Sequence, residues 1–197
     1  MSVNLQKGQK VDLTKGNAGL KRLVVGLGWD EAEQKRGFLG MKKKNDIDCD
    51  ASALVCAENG KLLDKSDIVY FGNLKHKTDA ITHLGDNLTG AGEGDDEQLI
   101  IELNKVPNTY ERIVFVVNIY KAYERNQHFG MIKNAFIRIV DADTNKELCK
   151  YNLSENYDNM TAMIFGEVYR YKGEWKFSAI GQATQDETLG KLAERFL

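Results

Sequence analysis

Met163–Ala183, MIFGEVYRYKGEWKFSAIGQA, consists of two runs rich in apolar residues that meet at Lys172-Gly173, and it reads as a β-hairpin. Its neighbours read the same way. NAFIRIVDA (Asn134–Ala142) and KELCKYNL (Lys146–Leu153) stand either side of Asp143-Thr144-Asn145, a second hairpin. RIVFVVNIY (Arg112–Tyr120) is apolar almost throughout, as a central strand is, and Pro107, the only proline, marks the connection before it. Lys121–Phe129, KAYERNQHF, breaks the pattern as a short helix or a long loop.

The N-terminal half extends this series of strands. Leu23–Leu27, inside RLVVGLGWD, is too short for a helix and rich in β-branched residues, so it reads as a buried strand. Ala51–Ala57 reads likewise. DIVYFGNL (Asp67–Leu74) follows the tight-turn dipeptide Asn59-Gly60 as another strand, and Val3–Leu13 alternates loosely like an edge strand. Only the end changes period: Leu189, Leu192, Ala193 and Phe196 recur at helical spacing, behind a capping box of Thr184 and Glu187. Roughly ten short strands with little helix predict an all-β fold, an antiparallel β-sandwich forming a single domain over residues 1–197 with one C-terminal helix.

Composition bounds the function. Of 197 residues 42% are hydrophobic and 28% charged, ordinary for a soluble chain, and no apolar run approaches the roughly 20 residues of a membrane span. The N-terminus carries no apolar signal segment, so the cytoplasm is the default location. A net charge of −2, with the strongest local charge acidic, argues against nucleic acid as a partner. Cys49, Cys56 and Cys149 form no CxxC and no zinc spacing with His76, His83 or His128, and read as reduced, buried thiols. Gly26 and Gly28 make a GxG without the third glycine or the helix of a dinucleotide loop.

The chemistry concentrates in Gly85–Glu97, GDNLTGAGEGDDE. From Thr78 to Asn104 there is no Lys or Arg, while Asp79, Asp86, Glu93, Asp95, Asp96, Glu97 and Glu102 are acidic. Gly85, Gly90, Gly92 and Gly94 let such a loop turn tightly and bring carbonyls as well as carboxylates round one centre. That donor set suits Ca²⁺, which takes about 6–8 oxygens and tolerates irregular geometry, better than Mg²⁺. The alternative is a solvated acidic turn. A second acidic stretch, Asp46, Asp48 and Asp50, has its carboxylates two apart and so on one side of an extended chain. It is not an EF-hand, since Ala51 and Ala57 occupy the places of the required Gly and Glu. In a sandwich, loops gather at the two ends, so the two acidic stretches are expected to meet.

With these stretches in view, GLGWD (Gly26–Asp30), DIDCDAS (Asp46–Ser52), GDNLTGAGEGDDE and NAFIRIVD (Asn134–Asp141) resemble the TerD family of tellurium-resistance and general stress proteins, and the resemblance runs on through FGEVYRYKGEWKFSAIGQ. It implies a β-sandwich that binds two adjacent Ca²⁺ ions. The implied ligands are Asp48, Asp50, Asp86, Asn87, Asp95, Asp96 and Glu97, with Asp46 and the carbonyls of Gly90 and Gly92 secondary. Ala91 and Glu93 depart from the family's usual Glu and Asp, and the basic stretch KRGFLGMKKKN leans towards the TerZ type. Other stress-response proteins are the implied partners.

The function so read is a calcium-binding stress-response module that acts by binding, not as an enzyme. The histidines lie in unrelated segments, and neither GxSxG nor Walker A is present. The alternatives are a calcium-dependent module at the inner membrane face binding anionic phospholipid with Lys42–Lys44, a metal-dependent enzyme, and, by family analogy alone, a cyclic-nucleotide binder.

Overall fold

The structure is a computed structural model and describes residues 2–31, 47–86 and 94–197. In chain order the strands are β1 (Val3–Leu5), β2 (Lys10–Asp12), β3 (Arg22–Glu31), β4 (Cys49–Cys56), β5 (Ile68–Val69), β6 (Ile81–Asp86), β7 (Glu97–Glu102), β8 (Arg112–Ile119), β9 (Ile132–Asp141), β10 (Lys146–Asn152), β11 (Ala162–Tyr171) and β12 (Glu174–Thr184). Two short helices, α1 (Ala122–Arg125) and α2 (Leu189–Ala193), join them.

The strands form two six-stranded sheets, ordered β1-β10-β9-β3-β7-β6 and β2-β12-β11-β8-β4-β5. We call them the first and second sheet. Pairing is antiparallel except between β1 and β10, which run parallel. The loosely alternating N-terminus is therefore two edge strands, one in each sheet, with a turn at Gly8 (φ 82°) between them.

Period-2 alternation fills the space between the sheets. Leu23, Val25 and Leu27 of β3, Leu99 and Ile101 of β7 and Ile137 and Ile139 of β9 pack against Ala51, Ala53 and Val55 of β4, Phe115 of β8 and Phe177 of β12. Each fully buried Leu, Ile or Phe contributes about 1.5–3 kcal/mol, so this layer carries the fold. A smaller cluster on the outer face of the second sheet joins Leu54, Val114, Val116 and Ala162 to Leu192 and Ala193, and this is what α2 covers.

Three local expectations change. Asp67–Leu74 is a strand only over Ile68–Val69; Tyr70 and Asn73 then close a tight bridge, with Asn73 Nδ2 donating to Ile68 O at 2.8 Å. The cap of α2 is Thr188, whose Oγ1 accepts from Lys191 N, in place of Thr184 with Glu187. Residues 121–129 resolve as α1 followed by a single helical turn at Phe129–Met131. Hairpin turns occur where expected, with Lys172 and Gly173 both at positive φ (52° and 81°). Among the described residues no helix is long and apolar enough to cross a membrane. The basic segment around Lys42–Lys44 lies outside the described residues.

Candidate metal centre

The acidic loop leaves β6 and returns through β7, so its two ends are fixed on neighbouring strands of the first sheet. Its return, Asp95-Asp96-Glu97, sends three consecutive carboxylates to three different places.

Asp95 lies on the outer face of the first sheet and is buried. Arg138 of β9 grips it with both arms of the guanidinium, Nε to Oδ1 at 2.7 Å and Nη2 to Oδ2 at 3.0 Å, and Gln98 Nε2 donates to Oδ2 at 2.8 Å. Two-point binding of this kind is among the strongest side-chain contacts. It is made possible by Gly26, which pairs with both Arg138 and Gln98 across the sheet: a Cβ there would sit 2.1 Å from Asp95 Oδ2. Gly28, the next residue along on the same face, makes room in the same way beneath the ring of Phe136 and the carbonyl of Gly94. The GxG of GLGWD is thus a flat stretch of strand on which the end of the acidic loop rests.

Asp96 turns towards β3. A bulge between Gly28 and Asp30 takes Trp29 out of the ladder with β9, and its freed N–H donates to Asp96 Oδ2 at 2.6 Å. Burial pushes the Asp96 carboxyl above its ordinary range; the Trp29 bond opposes this, while the Asp30 and Asp95 charges push the same way. Asp30 and Asp96 line one cleft with Asn134 and Asn152, and Asn134 Nδ2 donates to Asp30 Oδ2 at 2.7 Å.

Glu97 points inward at the edge of the sandwich. β5 pairs with β4 only at Ala53 and Leu54, which leaves the peptide groups of Ala51 without a strand partner. Side chains replace the strand: Ala51 N donates to Glu97 Oε2 at 2.7 Å, and Ala51 O accepts from His83 Nε2 at 3.1 Å. His83 Nε2 also lies 3.2 Å from Glu97 Oε2, while the N–H of Gly85 donates to His83 Nδ1 at 2.9 Å. That bond leaves the ring proton on Nε2, facing both acceptors. His83, expected in an unrelated segment, is therefore tied to the acidic loop.

The second acidic stretch arrives at the same end on the other side of β4. Cys49 and Ala51 face the core, whereas Asp50, opposite Asn118 in register, faces out from the second sheet. Asp48 is exposed, with Arg125 Nη1 3.7 Å away. Convergence is legible at Cys49: burial, then the charges of Asp50, Glu97, Asp48 and Asp96, push its thiol far up. All three cysteines are free and buried.

Of the ligands the resemblance implies, the structure thus brings Asp48, Asp50, Asp95, Asp96 and Glu97 to one end of the sandwich, but not to one point. Asp86 closes β6 opposite Glu97. Asn87, Gly90, Gly92 and the secondary candidate Asp46 lie outside the described residues. Among the described residues no three His, Cys, Asp or Glu side chains are grouped to hold a metal ion. The pair that fits a hard cation is Asp30 with Asp96: oxygen donors only, neighbouring like charges, and one carboxyl kept protonated by burial more readily than usual. Asp30, although inside a motif singled out in the sequence, was absent from the implied ligands.

A two-sheet, mainly antiparallel sandwich, with the acidic stretch re-entering at Asp95 on the outer face of one sheet, is the class of fold. The chain belongs to the TerD family, whose TerD domain model matches residues 1–196. It is 52% identical over 201 residues to "Stress response protein SCP2" of Bacillus subtilis, covering 100% of both chains. It is 47% identical to "Tellurium resistance protein TerD" of Serratia marcescens, over 92% of this chain and 91% of that one. The lean towards the TerZ type does not follow the identities, since TerZ of the same organism is 38% identical over 95% of this chain and 93% of its own. In fold the chain is similar to the crystal structure of a TerD homologue from Streptomyces coelicolor, with a TM-score of 0.65 over 91% of this chain and 99% of that one at 20% identity.

Proposed function

We propose that this TerD-family protein is a calcium-binding stress-response module, acting by binding and without a catalytic step. The observation that carries the reading is Asp96, a half-buried carboxyl raised above its ordinary range next to Asp30 at the foot of a glycine-rich acidic loop. A hard divalent cation relieves that repulsion. Asp96 and Asp30 would hold it together with oxygens of the loop; the bound ion supplies positive charge that fixes the loop against the sheet. Asp95 serves instead as a structural anchor, since Arg138 already engages both of its oxygens. Other stress-response proteins are the partners the family suggests, and the ordered loop end is the surface they would meet.

The test is thermal unfolding with and without Ca²⁺. Without metal, Asp96 binds its proton more tightly folded than unfolded, so as pH rises above the ordinary carboxyl range it subtracts stability. Asp96→Asn is therefore expected to leave the metal-free melting temperature unchanged or raised at neutral pH. In the parent protein, a hundredfold excess of Ca²⁺ over Kd adds about 2.7 kcal/mol, and the variant loses most of that gain. An equal calcium response in both proteins rules Asp96 out as a ligand.

A membrane-surface reading has one observation in its favour: Leu84, in β6 next to the loop, is 54% exposed, and Leu74, whose carbonyl accepts from His83 N, is 46% exposed. Co-sedimentation with anionic liposomes in calcium and in chelator separates this reading from the first.

A further inference from the structure

On the outer face of the second sheet, Leu192 and Ala193 cover the apolar residues of β4 and β8. Beside that cover, between α1 and the turn leading into α2, lies a cleft of about 460 Å³. Its volume falls within the roughly 300–1,000 Å³ typical of small-molecule sites. One buried polar group faces it. Asn118 of β8 lines the cleft and is only 7% exposed, and among the described residues its Oδ1 accepts no hydrogen bond. An unpaired buried acceptor is costly, so whatever fills the cleft should bring a donor.

The walls are aromatic. Tyr70, Phe71, Tyr120 and Tyr123 line the cleft, and Phe71, Tyr120 and Tyr123 are 60%, 42% and 52% exposed. They are held in place. Tyr70 and Phe71 meet edge to face at 5.3 Å, and Tyr123 Oη donates to Gln185 O at 3.1 Å, tying α1 to the segment before α2. Since the Tyr123 hydroxyl is already engaged, what that side chain offers the cleft is its ring. Aromatic side chains gathered in this way pack another ring edge to face or offset, with an attraction beyond simple burial.

Charge favours neither sign of ligand. Lys121 Nζ lies 3.3 Å from Glu124 Oε2, so these two lining charges answer each other. The face of Tyr120 is shared by Arg125 at 5.2 Å and Lys121 at 5.7 Å, while among the described residues no cation lies over Phe71 or Tyr123. Glu187 stands on the exposed rim, where solvent and salt screen it. Selection is therefore left to ring packing and to the one open acceptor. A purely apolar molecule would fill the space and leave Asn118 Oδ1 unpaired.

We propose that this cleft binds a small neutral aromatic molecule with an N–H or O–H on its ring edge, an indole or a phenol, the ring among the aromatic walls and the donor on Asn118 Oδ1. The site is separate from the calcium centre and does not rest on it. A tryptophan or tyrosine side chain of a partner carries the same groups; the enclosed volume favours the free molecule, and the test separates the two.

Calorimetric titration of the whole protein in chelator, with indole, 1-methylindole and a blocked tripeptide centred on tryptophan, reads the binding directly. Saturable single-site binding of indole is expected, about tenfold tighter than that of 1-methylindole, which keeps the ring and lacks the donor. Asn118→Leu, which removes the amide at similar volume, is expected to bring the two ligands within about twofold of each other, and Tyr123→Ala, at an exposed position, to weaken both about threefold to tenfold. No saturable binding of indole, equal binding of the two ligands by the parent protein, a preference that survives Asn118→Leu, or affinities unchanged in Tyr123→Ala overturns the proposal. So does binding of the peptide alone, which would make the cleft a protein-docking surface.

Discussion

Asp95, Asp96 and Glu97 are chemically near-identical neighbours, yet one is neutralised by an arginine, one takes the Trp29 N–H and sits half-buried beside Asp30, and one acts as the partner of a free strand edge. Environment, not residue type, assigns the roles. A second buried acid makes the point measurable. Asp67 accepts from Tyr110 Oη at 2.8 Å, Lys77 Nζ at 2.7 Å and the N–H of Asp64 at 2.8 Å, with His76 Nε2 3.2 Å away. Burial pushes its carboxyl up, but these donors outweigh it and hold the carboxyl below the ordinary range. His76 is pushed down by burial, more strongly than Asp67 pulls it up. On acidification the unfolded chain protonates His76 near ~6.5 while the folded protein keeps it neutral, so stability starts to fall there. The contribution of Asp67 is present above ~3.9 and is lost only as pH falls through its lower folded value. Melting temperature measured against pH in chelator is expected to drop in two stages, His76→Gln flattening the upper one, and Asp67→Ala is expected to cost about 3–5 kcal/mol at neutral pH. An upper stage untouched by His76→Gln would contradict this assignment.

At the scale of elements, β3 is the strand that most directly joins fold to site. Its inward residues build the core, its outward Gly26 and Gly28 make room for Asp95 and Phe136, and its bulge at Trp29 hands an N–H to Asp96. Gly26→Ala is accordingly expected to push Asp95 off Arg138 and cost about 1–3 kcal/mol, with calcium affinity falling because Asp96 is displaced along with Asp95. A variant with parent stability and affinity would show that the two sites are not coupled through the strand. The strands themselves were legible in the sequence because alternating and continuous apolar runs have few other readings. Aromatic content misled at Tyr70–Leu74, where Asn73 bonds back to Ile68 O and closes a turn. Thr188 was hidden as a cap because helical spacing marks a buried face, not a first residue. The acidic loop was also legible, being a composition extreme. Its neutralising partner was not: Arg138 lies 43 residues beyond Asp95 and meets it only through sheet order β9-β3-β7. Nor was His83, whose role needs the unpaired edge of β4. Asp30 had a signal, its place in GLGWD, that was read as family pattern without a role.

For the whole molecule, the two layers of apolar side chains and the proposed metal differ in rank. A single buried Leu or Phe is worth as much as the ~2.7 kcal/mol that the proposed calcium would add at a hundredfold excess, and a domain of this kind rests on dozens of them. The stripped protein is therefore expected to stay folded, with calcium ordering one end of a finished sandwich and leaving the other end unaltered. The relatives named for stress response and tellurium resistance match this chain in sequence over nearly all of their length. The claim that ties these scales together is that the acidic end takes a calcium ion. Calorimetric titration of metal-stripped protein with Ca²⁺, in a background of excess Mg²⁺, addresses it directly. A saturable heat corresponding to micromolar or tighter affinity, strongly reduced in Asp96→Asn, is the result expected; no heat, or a heat abolished by Mg²⁺, would contradict it.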